Sequence, residues 1–222
     1  MAHFVAYEGY RERLHGHNYS LSCSLMSSSL NRADGYVVDF GVIKKAVRAV
    51  CKSLNERFIV PVRSDVLLMD YVYNKKGAEH LRITCKQDDS VFLFPKSDCF
   101  MCPIQHSTVE EICLYMYGAI IEKIGPDYLL DRGVEKCRIG LAEAPGQQCF
   151  VDLDIKRGFQ RDQWEKSGFN GTVNSPEAIS PSADGRSALR GCLRSCAICC
   201  STTDSKFDVS KFGVNNNAQT FS

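Results

Sequence analysis

Residues 15–26 read His-Gly-His-Asn-Tyr-Ser-Leu-Ser-Cys-Ser-Leu-Met. Tyr19, Leu21, Cys23 and Leu25 alternate with polar positions, the period-two pattern of a half-buried strand. His15 and His17 share the parity of that apolar set. A strand therefore directs both imidazoles to one face, about 6.5–7 Å apart by backbone rise. Such a pair can ligate one ion. His3 lies twelve residues before His15, far enough back to sit on a neighbouring strand. Three neutral imidazoles with one open position form the donor set of a catalytic zinc site, and no cysteine lies between His3 and His17 to make a softer one. Spacing alone does not decide the matter, because a His-x-His pair on a strand is more often a surface or core pair than a metal site.

Working outward, Asn31–Gly35 (NRADG) reads as a turn, and Tyr36, Val37 and Val38 continue as a short strand. Asp39 then caps a helix. Val42, Ile43, Ala46, Val47, Val50 and Leu54 recur at helical spacing with Lys44, Lys45 and Arg48 opposite, which gives about four amphipathic turns. Residues 81–94 read as a hairpin across a Gln-Asp-Asp-Ser turn. Thr108-Val-Glu-Glu111 is a capping box at the start of a second helix. Its buried stripe is Ile112, Met116, Ala119 and Ile120, and Gly125-Pro126 ends it. Strands are expected at 135–142 and 149–155. Runs of antiparallel strands with two helices on one face give an α+β fold.

The chain has 222 residues and is 44% hydrophobic, enough for one core. We read residues 1–157 as the folded domain. Residues 158–222, rich in Ser, Asn and Gly and without periodicity, read as a disordered tail. The tail's Cys192, Cys196, Cys199 and Cys200 lack the paired spacing of a zinc finger. The net charge is +1 with acids and bases mixed, so nothing argues for nucleic acid or a membrane surface. No apolar run approaches the ~20 residues of a spanning helix, and the N-terminus does not read as a secretory signal. A cytoplasmic location follows as the expectation. Most of the twelve cysteines are then small buried hydrophobes in a reducing compartment, the Cys99-x2-Cys102 pair among them.

The string LHGHNYSLSCSL, with AHF upstream, resembles the 6-pyruvoyl-tetrahydropterin synthase family. GYVVDF (35–40), HSTVEEI (106–112) and LAEAP (141–145) are similar to further family segments in the same order, so the resemblance spans about residues 2–155. It implies the tunnelling fold: a four-stranded antiparallel sheet with two helices on one face, here with an inserted hairpin. Subunits of that fold assemble as a homo-oligomer, a trimer or a hexamer. It implies zinc (Zn2+) held by His3, His15 and His17, and a lyase acting on 7,8-dihydroneopterin triphosphate in tetrahydrobiopterin or folate biosynthesis. The products would be 6-pyruvoyl-tetrahydropterin, 6-hydroxymethyl-7,8-dihydropterin, or both. Glu143 matches the glutamate that grips the pterin, and Thr108 a threonine lining the same pocket; without the family they are a strand-end charge and a helix cap.

The protozoan form of the family is the most similar. It lacks the usual nucleophilic cysteine, whose position is Gly9 here, and places a glutamate at the position of Glu12. Glu12 is therefore the candidate general base, although in the run YRER it would otherwise read as a solvated charge. Asn55-Glu56 stands where the family has an Asp-His relay, with Glu56 left as the group able to pass a proton. Loss of that pair also suits a second reading, a pterin- and zinc-binding paralogue without turnover. A third, a carboxy-tetrahydropterin synthase, would need the cysteine that Gly9 replaces. The family has a strand leading into the first zinc histidine. Only Met1 and Ala2 precede it here, so His3 is expected to fray.

Overall fold

Short local signals set the helices. Asp39 opens α1 by accepting a hydrogen bond from the Gly41 N–H, and Thr108 opens α2 by accepting one from Glu111. The structure, a computed structural model, describes residues 1–155 and 218–221. Along the chain run β1 (Ala2–His3), β2 (Ala6–Tyr7), β3 (Tyr10–Arg11), β4 (His15–Gly16), β5 (Ser20–Met26), α1 (Phe40–Leu54), β6 (Phe58–Pro61), β7 (Leu67–Tyr73), β8 (Glu79–Cys85), β9 (Val91–Pro95), β10 (Cys99–Cys102), α2 (Val109–Ile124), α3 (Pro126–Asp131), β11 (Lys136–Ala144), β12 (Gln147–Asp154) and β13 (Ala218–Phe221). The fold is α+β.

The main sheet is antiparallel, in the order β12-β11-β5-β13. Cys23 and Leu25 of β5 point inward beside Cys137, Ile139 and Leu141 of β11 and Cys149 and Val151 of β12. On this layer pack Ile43, Val47, Val50 and Leu54 of α1, and Ile112, Met116, Ile120 and Ile121 of α2. The periodic stripes of both helices are thus spent on one core. Gly140 sits where a Cβ would meet the Phe150 ring at 2.7 Å, so that close approach requires glycine.

A second sheet, in the order β10-β6-β1-β4, is mixed: β6 runs parallel to both β10 and β1, and β1 antiparallel to β4. The third is the antiparallel meander β7-β8-β9. Its inner face, with Leu67, Leu81, Ile83 and Cys85, closes a second core over Phe4, Phe58 and Val60.

Several expectations need correction. Residues 15–26 are not one strand: the chain leaves β4 and enters β5, which belongs to a different sheet. Residues 36–38 form no strand. The guanidinium of Arg132 donates to the carbonyls of Tyr36 and Val37, which removes acceptors that a neighbouring strand would use. The fourth strand of the main sheet comes instead from residues 218–221. The expected hairpin is present as β8 and β9 but gains β7 as a third strand. His3 is not left to fray. Ala2 donates to the Arg57 carbonyl, His17 donates to the Met1 carbonyl, and the terminal ammonium donates to the His17 carbonyl.

Residues 156–217 and 222 lie outside the described residues, and with them the four tail cysteines. Seven of the eight described cysteines are buried and Cys51 is partly so, in keeping with their reading as small core residues. Among the described residues no helix is long and apolar enough to cross a membrane.

Candidate functional site

The antiparallel pairing of β1 with β4 sets His3 directly opposite His15. His17 follows two residues on, just past the end of β4. The imidazole centroids stand 4.6 Å (His3–His15), 4.8 Å (His15–His17) and 5.4 Å (His3–His17) apart. One ligand atom from each histidine falls within 4.8 Å of the others, so one cation can reach all three.

Hydrogen bonding fixes how two of these rings present themselves. His3 Nδ1 lies 2.6 Å from the Ser107 carbonyl, and His15 Nδ1 lies 2.7 Å from the Arg13 carbonyl. A carbonyl only accepts, so each Nδ1 carries the proton and each Nε2 keeps a lone pair. Outer partners of this kind commonly set the tautomer of metal-binding histidines. His3 is buried, with 2% of its surface exposed, whereas His15 and His17 open toward solvent. Burial pushes the His3 imidazole below its ordinary pKa and outweighs the Ser107 hydrogen bond and Glu143, which favour the charged form. The neutral ring is the form that ligates a metal, so this donor set fits a borderline-soft divalent ion such as zinc.

A carboxylate and a phenol complete the cluster. Glu143, at the end of β11, places Oε1 3.7 Å from His3 Nε2. Tyr19 donates to the same Oε1 at 2.7 Å, and its oxygen lies 3.3 Å from His3 Nε2. The single phenolic proton is committed to Glu143, so His3 keeps its lone pair. Burial first, and then this hydrogen bond, hold the Tyr19 phenol well above the ordinary tyrosine range. Tyr19 therefore remains a donor at any physiological pH.

Glu12 follows β3 on the loop between His3 and His15. Its Oε2 accepts from the Val5 N–H at 3.0 Å, while its own N–H donates to the Val5 carbonyl at 2.9 Å. The carboxylate is held two residues from His3 in sequence and close enough to Tyr19 to raise that phenol's pKa further. Thr108 serves as the cap of α2, and its neighbour Ser107 anchors both His3 and, through its hydroxyl, the Phe4 carbonyl. Glu111 does not reach back to Thr108 as a capping box would. It accepts from the N–H groups of Gln105 and His106 and so fixes the loop carrying Ser107. Glu56 is placed apart: it ends α1 in a left-handed conformation (φ +57°) and is exposed. Among the described residues its carboxylate forms no hydrogen bond or ion pair with the histidines.

Sequence reasoning did not single out Tyr19 or Ser107. Tyr19 carried a signal, since it shares the parity of His15 and His17. Ser107 carried none, because its role depends on its main-chain carbonyl and on a partner far away in sequence.

Comparison with known proteins places these features among relatives. Residues 1–153 match the family model described as 6-pyruvoyl tetrahydropterin synthase. The crystal structure of 6-pyruvoyl tetrahydropterin synthase from Plasmodium vivax is similar at 42% identity, with a TM-score of 0.64 over 69% of this chain and 89% of that one. The Plasmodium falciparum protein is similar at 40% identity, with the same TM-score and coverage. Structures of the P. vivax protein also exist with a catalytic glutamate replaced by alanine or cysteine. The putative 6-carboxy-5,6,7,8-tetrahydropterin synthase of Methanocaldococcus jannaschii is 25% identical over 111 residues, half of this chain and 63% of that protein's length.

Proposed function

The chain belongs to the 6-pyruvoyl tetrahydropterin synthase family, and from that premise we propose that it is a zinc-dependent lyase acting on 7,8-dihydroneopterin triphosphate. The observation that carries this reading is the convergence of His3, His15 and His17 within 4.8 Å, with Glu143 at 3.7 Å from His3. The reaction releases triphosphate to give 6-pyruvoyl-tetrahydropterin, or cleaves the side chain to give 6-hydroxymethyl-7,8-dihydropterin.

His3, His15 and His17 would hold the zinc, with their tautomers set by Ser107 and Arg13. When bound there, zinc supplies Lewis acidity toward the substrate's side-chain hydroxyls. The chain's own groups do the rest. Glu143 accepts hydrogen bonds from a ring N–H and the exocyclic amine of the pterin, for which a carboxylate is suited. Tyr19 occupies part of Oε1 and stops the carboxylate from rotating. Thr108 lines the pterin side of the same pocket. Glu12 takes the proton from the substrate side chain. Its Oε2 is held by Val5, and Oε1 remains to receive that proton. Glycine at position 9 leaves no thiol for this task, and the replaced catalytic glutamate of the P. vivax protein supports giving it to Glu12. We place the active protein in a homo-oligomer, as the family resemblance implies.

Metal removal tests the reading. Dialysis against a chelator is expected to abolish triphosphate release, and one equivalent of zinc to restore it. Turnover that persists in protein shown to be metal-free would end the proposal.

A further inference from the structure

Between His3 and His15 the chain makes the small hairpin β2–β3, and Glu12 is the first residue after it. Two-residue strands cannot hold a catalytic carboxylate by themselves. The support comes from the meander β7-β8-β9, specifically from the turn at residues 86–90. Arg11 donates from Nε to Asp88 at 2.7 Å, from one terminal nitrogen to the Ser90 hydroxyl at 3.1 Å, and from the other to the Glu12 carbonyl at 2.9 Å. Its guanidinium lies 5.4 Å from the centroid of the Phe92 ring. Gln87 donates to the Tyr10 carbonyl at 2.9 Å. Asp88 is shaped for the task, because Ser90 donates to both of its oxygens. Those bonds, and then Arg11, hold its carboxyl below the usual range. On the same meander, Phe92 stacks on Phe4 at 4.8 Å, and Phe4 follows His3 directly.

We propose that the meander is the positioning element of the active site, and that Arg11, gripped by Asp88 and Ser90, fixes the backbone of Glu12. The inference rests on the functional reading above, in which Glu12 is the base. An exposed ion pair is worth little as a source of stability. Arg11, however, is only 20% exposed along its side chain, and its fork joins three partners at once. Its value lies in geometry, since a fixed approach of base to substrate is what makes proton transfer fast.

The test is the double variant Asp88→Asn, Ser90→Ala, made in the wild-type protein and again in Glu12→Gln. In the wild-type background it is expected to lower kcat roughly 10–100-fold, with KM and zinc stoichiometry unchanged. In the Glu12→Gln background it should lower kcat no further. Asp88→Glu, which keeps the charge, should recover part of the loss. Hydrogen exchange supplies a readout independent of turnover: the peptide covering residues 4–14 should lose protection while the peptide covering α2 does not. An unchanged kcat, or an equal fall in the Glu12→Gln background, would overturn the proposal. So would unchanged exchange over residues 4–14. Should the wild-type protein release no triphosphate, the functional reading fails on its own, and the exchange arm alone decides whether the meander holds the hairpin.

Discussion

Replacing His15 with alanine is expected to strip the zinc from the protein and lower turnover of 7,8-dihydroneopterin triphosphate by roughly 10³-fold, taking a metal's contribution as about 4 kcal/mol. His15 is the best of the three histidines for this test. His3 is buried and bonded to Ser107, so removing it leaves a cavity and an unpaired carbonyl, which would confuse metal loss with unfolding. His15 sits at the open side of the cluster, and its hydrogen bond to Arg13 spans only two residues. Its removal deletes a ligand and little else. The measurements are zinc content by elemental analysis and melting temperature, taken beside activity. His80, on β8 and bonded to the nearby Ala78 carbonyl, is the control: His80→Ala should keep its zinc. A His15→Ala protein that retains a full equivalent of zinc would show that this ring is not a ligand.

The second large effect concerns the base. Glu12→Gln is expected to lower kcat by about 10²–10⁴-fold, the usual range for a general base, with zinc content and KM close to wild type. Glutamine keeps the shape of the side chain, and its amide oxygen can still accept from the Val5 N–H, so the hairpin should hold its place. What is lost is the ability to take a proton. A structural carboxylate would give a nearly active amide variant, and that result would move the base elsewhere. Steady-state kinetics with the zinc content measured on the same sample separates the two.

How far the sequence foretells this arrangement depends on the range of each signal. The helices announced themselves because Asp39 and Thr108 cap their own next turn and the apolar stripes repeat within α1 and α2. Strands β11 and β5 were legible from alternation, since one face meets the core. Strand β6 was not. All four of its residues are buried, so it does not alternate, and its parallel partners β1 and β10 are far away in sequence. Residues 36–38 misled for the opposite reason. They are apolar and β-branched, and Val37 and Val38 are buried, but Arg132 takes the carbonyls that a strand would pair.

The candidate site divides in the same way. The three histidines and Glu12 lie within one short stretch and could be read together, with the family resemblance giving them roles. The bonds that orient them could not. Ser107 meets His3 across 104 residues, Tyr19 meets Glu143 across 124, and Arg11 meets Asp88 across 77. No local pattern encodes such pairs. The replacement of the family's Asp-His by Asn55-Glu56 takes on a different aspect once Glu56 is seen exposed at the end of α1. The tightly held groups around the histidines are instead Glu143, Tyr19 and Glu12.

The most direct test of the central claim is to incubate the full chain, with its zinc content measured, with 7,8-dihydroneopterin triphosphate and to identify the pterin products by mass spectrometry. The account predicts about one zinc per chain and the appearance of 6-hydroxymethyl-7,8-dihydropterin, 6-pyruvoyl-tetrahydropterin, or both. Intact substrate in the presence of a full zinc complement would contradict it, and would leave the chain as a member of its family that binds zinc and pterin without turning the substrate over.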